Sequence, residues 1–145
     1  MQKVKENLKQ HKFIIFLFLF SFIIRLITVL WITPPVTGEF KTIYEASLEL
    51  LNNTTSYKSM PTFLIQAYKM GQVLYQTTLL SIINNITFLK IINVLLSSVT
   101  VVLIYLIGKQ LSNQKSAAII SLIYSIFLFP ILINTVLTNE ILPML

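Results

Sequence analysis

Residues 13–32 read FIIFLFLFSFIIRLITVLWI, an apolar run interrupted only by Ser21, Arg25 and Thr28. About 20 such residues is the length a helix needs to cross a hydrocarbon core. In lipid the backbone amides and carbonyls have no water to bind, so a spanning segment must be a helix or part of a closed barrel. A basic stretch precedes the run, as in a secretory signal. The run is too long for the apolar core of such a signal, however, and no small-residue cleavage site follows it. It reads as a retained helix, with Trp31 at the far end, where an aromatic belt sits.

Two further runs follow, Ile91 to Gly108 and Ala117 to Ile133. Between them lies KQLSNQKS, a short polar turn that makes the two helices an antiparallel hairpin. Ser97, Ser98 and Thr100 suit close helix contact, and Pro130 kinks the third run or marks its outer end. The composition agrees: 55% of residues are hydrophobic and 11% are charged, against about 25% charged in a soluble domain. The fold class is therefore all-α: three membrane spans, at about 13–32, 91–108 and 117–133, in a single unit covering residues 1–145.

Lysine placement orients the spans. Lys3, Lys5, Lys9 and Lys12 precede the first, and Lys109 and Lys115 fill the short turn. The positive-inside rule puts both segments in the cytoplasm, and residues 33–90 and the C-terminus outside. The outer segment carries Lys41, Lys58, Lys69 and Lys90, but a long outer segment weighs less in that rule. The net charge of +6 fits an anionic inner leaflet. No basic stripe interleaved with aromatics points to nucleic acid. The absence of cysteine excludes disulfides and thiolate metal sites. Heavy use of isoleucine, lysine and asparagine points to an AT-rich genome and a bacterial plasma membrane.

The outer segment is too apolar to be disordered. Thr37 can cap a helix beginning GEFKTIYEASLELL, with Glu39 in its first turn, where the helix dipole favours an anion. Phe40, Ile43, Tyr44, Ser47, Leu48 and Leu51 share one face, and Glu45 and Glu49 another. After NNTTSYKS, Pro61 opens a second helix. Phe63, Ala67, Met70, Leu74 and Thr78 form its apolar face, opposite Gln66, Lys69, Gln72 and Gln76. Both helices read as amphipathic helices lying on the membrane. A rival reading takes residues 63–83 as a fourth span, at the cost of an intramembrane lysine and three glutamines. The N-x-T triplets at Asn52, Asn53 and Asn85 are chance matches in an asparagine-rich chain.

Three groups could carry chemistry. Arg25 is an intramembrane charge, a functional feature by default, or else a side chain snorkelling toward the boundary about 10 Å away. Glu39 is a carboxylate at the membrane surface, able to act as a general base on a hydroxyl or simply to start a helix. Glu140 lies just past the third span, on the same side as Glu39. Two carboxylates above one face could form an acid/base or metal pair. His11, among the N-terminal lysines, reads as a solvated tail residue. Phosphate loops, zinc spacings, nucleophile elbows and histidine triads are missing from the sequence.

The order of these features resembles the N-terminal part of the GT-C membrane glycosyltransferases, in the protein mannosyltransferase and aminoarabinose transferase group. It comprises a basic N-terminus, a first span with an arginine and PPVTGEFKTIYEASLEL just outside. MPTFLIQAYKMGQVLY, the hairpin IYLIGKQLSNQKSAAIISLIYSIFLFP and LTNE complete it. The resemblance covers nearly the whole chain. It implies inverting transfer of a sugar from a polyprenyl-phosphate donor to an acceptor on the outer face, with the bilayer and that donor as partners. By it, Glu39 matches the acidic residue of the first outer loop, usually an aspartate, that serves as base. Lys41 and Tyr44 fall near the acceptor or sugar-phosphate site, Glu140 lines the same cavity, and Arg25 matches a recurrent first-span arginine. The resemblance assigns no definite cofactor, and a divalent metal stays open. Family members have about ten or more spans. The chain therefore reads as the front piece of such an enzyme, inactive without its C-terminal partner part. The rival is a small non-enzymatic membrane protein, an accessory or interaction subunit, in which both glutamates are dispensable.

Overall fold

The computed structural model describes residues 2–52 and 69–136, and all the regular structure in them is helical. Helix α1 spans Gln2–Trp31, α2 Gly38–Leu51, α3 Met70–Ile82, α4 Ile86–Leu111, α5 Gln114–Ile126 and α6 Leu128–Ile133. Within them, Gln10–Trp31 and Ile86–Leu111 are long and apolar enough to cross a membrane. Helix α1 packs against α4, α5 and α6; α2 packs against α3.

The second apolar run starts five residues earlier than its hydropathy indicates, because Asn85 begins the helix. Its side-chain Oδ1 accepts the Thr87 N–H at 2.7 Å, satisfying one of the amides a helix start leaves open. Lys90 is thereby drawn into α4. The polar turn predicted between the second and third runs forms as expected, with Asn113 capping α5 through Ser116 N–H at 2.8 Å. Lys109 Nζ donates to Gln10 Oε1 at 2.5 Å. The basic turn and the start of the first apolar run therefore lie at the same end of the bundle.

The third run is not one continuous helix. Phe127 leaves the helical conformation at φ −61°, ψ 124°, separating α5 from α6. Pro130 supplies the reason. It has no N–H to give the Ile126 carbonyl, and its ring would collide with that carbonyl if the helix ran on. In the first turn of a new helix the same proline is tolerated.

Helices α4 and α5 approach closely at Gly108, where a Cβ would stand 3.3 Å from the Ala117 Cβ. Ala117, Ser121 and Ser125 repeat every fourth residue and form the buried face of α5, a small-residue seam that lets two helices approach. Replacing Gly108 by leucine should force the hairpin open and cost about 1–3 kcal/mol, the usual penalty of overpacking. Thermal unfolding in micelles would measure it, and an unchanged midpoint would show that the contact is dispensable.

The distribution of polarity is inverted relative to a water-soluble core. Among the described residues, 13 buried side chains are polar or charged and 12 are hydrophobic. The exposed surface carries a continuous supply of large apolar groups, among them Phe16, Ile23, Ile27, Ile119, Ile123 and Phe129. Helix α3 follows this rule against expectation. Leu74 and Thr78 of its predicted apolar face are exposed, whereas Val73, Gln76 and Leu80 are buried. The side packed against α2 and α4 is therefore Val73, Gln76 and Leu80, offset from the predicted apolar face. The start expected for this helix, with Pro61, Phe63, Gln66 and Ala67, lies outside the described residues.

Candidate functional site

Two polar centres are built into this scaffold, one inside the bundle and one at the end opposite the basic turn. The inner one is Arg25, which is fully buried and does not snorkel toward the boundary. Its Nε donates to Ser97 Oγ of α4 at 3.0 Å. Its Nη1 donates to Ser21 Oγ one turn back and to the Ser125 carbonyl of α5 at 3.2 Å. That carbonyl is available because the break at Phe127 leaves the last turn of α5 without helical donors. A cation there also meets the negative end of the α5 dipole. Asn134, just past α6, donates to Ser97 Oγ at 3.3 Å and to the Pro130 carbonyl at 2.6 Å. The guanidinium thus ties α1, α4 and α5 together, and Asn134 joins the end of α6 to them through the shared Ser97 hydroxyl. Arg25 Nη2 and Asn134 Oδ1 are buried without a hydrogen-bond partner among the described residues. Ser97 and Ser98 were legible as packing residues; the role of Ser97 as an acceptor for Arg25 was not.

The second centre starts at the Pro34–Pro35 turn, which ends the first span. Gly38, at φ 61°, turns the chain into α2, a left-handed conformation that costs other residues about 1–2 kcal/mol. Thr37 occupies the position before the helix, but its side chain makes no capping hydrogen bond. Glu39 sits in the first turn, as expected. Its Oε1 lies 2.6 Å from Lys69 Nζ, the lysine just ahead of α3. The lysine is almost completely buried, and the carboxylate is half exposed. Helices α2 and α3 are laced together below this pair. Ser47 Oγ donates to the Val73 carbonyl at 3.3 Å, and Thr77 Oγ1 to the Ser47 carbonyl at 3.3 Å. Ile43, Ala46 and Val73 form the core between them.

The remaining predicted site residues do not gather around Glu39. Lys41 is exposed and pairs with Glu45 at 3.6 Å, one turn along the same helix. Tyr44 packs with Val36, Leu48 and Leu51 against Leu80 and Leu89, as a hydrophobic link from α2 to α3 and α4. Arg25 is held by Ser21, Ser97 and Ser125 instead. Glu140 lies outside the described residues. Among the described residues, no three His, Asp or Glu side chains converge on a metal position. The partner the sequence reading missed is Lys69, treated as one of several polar interruptions on its helix. Its signal was a lone cation just ahead of a largely apolar helix, a group that must find an anion when buried.

No family model, curated protein or solved structure matches this chain. What the arrangement can do chemically follows from the pair itself. A half-exposed carboxylate, fixed by a buried ammonium, can accept a hydrogen bond from an incoming hydroxyl in a defined direction.

Proposed function

We propose that the chain is the acceptor-side portion of a membrane glycosyltransferase that uses a polyprenyl-phosphate sugar, the activity implied by its resemblance to the GT-C group. The Glu39–Lys69 pair carries this reading. It holds a carboxylate at one end of the bundle, where the first outer loop of such an enzyme places its acidic residue. In the reaction, the acceptor hydroxyl oxygen attacks the anomeric carbon. The bond from that carbon to the phosphate oxygen breaks, and polyprenyl phosphate leaves with the electron pair. The hydroxyl proton passes to Glu39.

The topology belongs to the same proposal. The inverted polarity supports lipid around the bundle. Helices α5 and α6 together supply about 20 residues and would cross as a third, broken span. The Lys109–Gln10 contact supports a cytoplasmic position for the basic end. Glu39, α2 and α3 then lie at the outer face, with α2 and α3 as juxtamembrane helices.

A second reading, a non-enzymatic accessory protein, is favoured by the failure of Lys41 and Tyr44 to face Glu39. In that case the Glu39–Lys69 pair is only a strut between α2 and α3. The deciding experiment deletes the gene and assays membranes for transfer from a radiolabelled polyprenyl-phosphate sugar. Loss of transfer, restored by the intact chain, is the expected result; unchanged transfer would rule out the enzyme reading. The purified chain alone should transfer no sugar, and measured turnover by it would overturn that expectation.

A further inference from the structure

The start of α4 carries a charge that neither the fold nor the proposed transfer uses. Asn85 begins that helix, so Lys90 falls just after its first turn, and helical side chains lean back toward the N-terminus. Lys90 is 5% exposed. It has no ion pair or hydrogen bond among the described residues, and a lysine whose stem is buried while its ammonium opens onto a cavity is stabilised by an anion there. The carboxylates of α2 are committed elsewhere: Glu39 to Lys69 and Glu45 to Lys41. Glu49 is partnered too.

Lys90 lines a cavity of ≈ 440 Å³ between the end of α1 and the start of α4. Its walls include Val29, Leu30, Pro34, Pro35 and Thr87. The backbone amides there are spent on Asn85, whose Oδ1 takes the Thr87 N–H and whose carbonyl takes those of Phe88 and Leu89. The side-chain donors left for an anion are the Lys90 ammonium and the hydroxyls of Thr33 and Thr87, with the positive end of the α4 dipole behind Lys90 and Thr87.

We propose that this cavity binds the phosphate of an anionic phospholipid, with Lys90 as its counter-charge. Two features select a lipid over free phosphate. Apart from Thr33, the remaining walls are aliphatic side chains and proline rings, which a small hydrated ion would leave unfilled. The cavity also meets the exposed apolar flank of α1 at Leu30, beside Ile27 and Trp31, where an acyl chain can lie. The site is independent of sugar transfer and would exist in either functional reading.

Trp31 is the sole tryptophan and follows Leu30 of the cavity wall, so it reports directly on lipid at this position. The full chain is reconstituted in phosphatidylcholine nanodiscs doped with brominated phosphatidylglycerol or brominated phosphatidylcholine. Half-maximal quenching should need roughly fivefold less of the anionic lipid, the preference expected for one lysine at a charged headgroup. Lys90→Gln should abolish the preference, Lys90→Arg should keep it and Thr87→Val should weaken it. Lys41→Gln, on the exposed face of α2, should leave it intact. Helix content and elution volume establish that each variant is folded. Equal quenching by the two lipids would overturn the proposal, as would a preference that survives Lys90→Gln. Displacement of the brominated anionic lipid by millimolar inorganic phosphate would overturn the choice of a lipid over a free ion.

Discussion

Arg25→Ala should destabilise the bundle by roughly 2–5 kcal/mol, the range for truncating a large buried side chain to alanine. The guanidinium is the common partner of Ser21, Ser97 and Ser125, and alanine leaves a cavity among groups that have no water to turn to. Arg25→Lys should recover little. A single ammonium cannot present the planar fork that reaches a hydroxyl on α4 and a carbonyl on α5 together. Arg25→Met should lose less than half of the alanine effect, because it refills volume without leaving a charge to satisfy. Pro130 is part of the same device, since it forces the break that exposes the Ser125 carbonyl. Arg25→Ala and Pro130→Ala should therefore combine non-additively, by at least about 0.5 kcal/mol. Reversible unfolding in micelles measures the four single variants and the double variant. An Arg25→Ala protein as stable as the parent would show that the network is incidental to folding.

Glu39→Gln should lower polyprenyl-dependent sugar transfer by about 10²-fold or more, the contribution of a positioned general base. The substitution is chosen to separate chemistry from architecture. A glutamine carbonyl can still accept a hydrogen bond from Lys69, so the link between α2 and α3 persists while the proton acceptor is lost. Glu39→Asp should retain part of the activity. The readout is transfer by membranes from a deletion strain complemented with each variant, at matched protein levels. Equal transfer by Glu39→Gln and the parent would reduce the carboxylate to a strut and favour the accessory-protein reading. Lys69→Met makes the converse test. It should release the carboxylate from its fixed direction and lower transfer, while Lys41→Met, whose ion pair lies on the exposed face of α2, should not.

Much of the helical layout was legible because hydropathy and capping are local properties. The run at 91–108 lies within α4 and the run at 13–32 lies within α1 but for Ile32; these are the two helices with segments long and apolar enough to cross a membrane, and KQLSNQKS contains the turn between α4 and α5. The first outer helix was also legible, with Glu39 in its first turn. Its apolar face was read correctly for Ile43, Tyr44, Ser47, Leu48 and Leu51, because a 3.6-residue period identifies a face whatever covers it. The face of α3 was misread for the same reason. Periodicity says that Val73, Gln76 and Leu80 share one side, but not whether that side meets lipid or protein.

The sequence by itself determined where helices form, how apolar they are and where proline must interrupt one of them. Those properties depend on residues within a few positions of one another. Only the tertiary structure decided what the polar groups inside those helices do. Arg25 could reach for the boundary or turn inward until Ser97 and Ser125, 72 and 100 residues away, supplied acceptors. The direction of a buried charge is set by whichever partners folding brings within about 3 Å, and no local pattern encodes that distance. The apolar runs determined that this chain would be helical; the long-range partners of Arg25 and Glu39 decided which of its charges brace the bundle and which one stands at its end, half exposed.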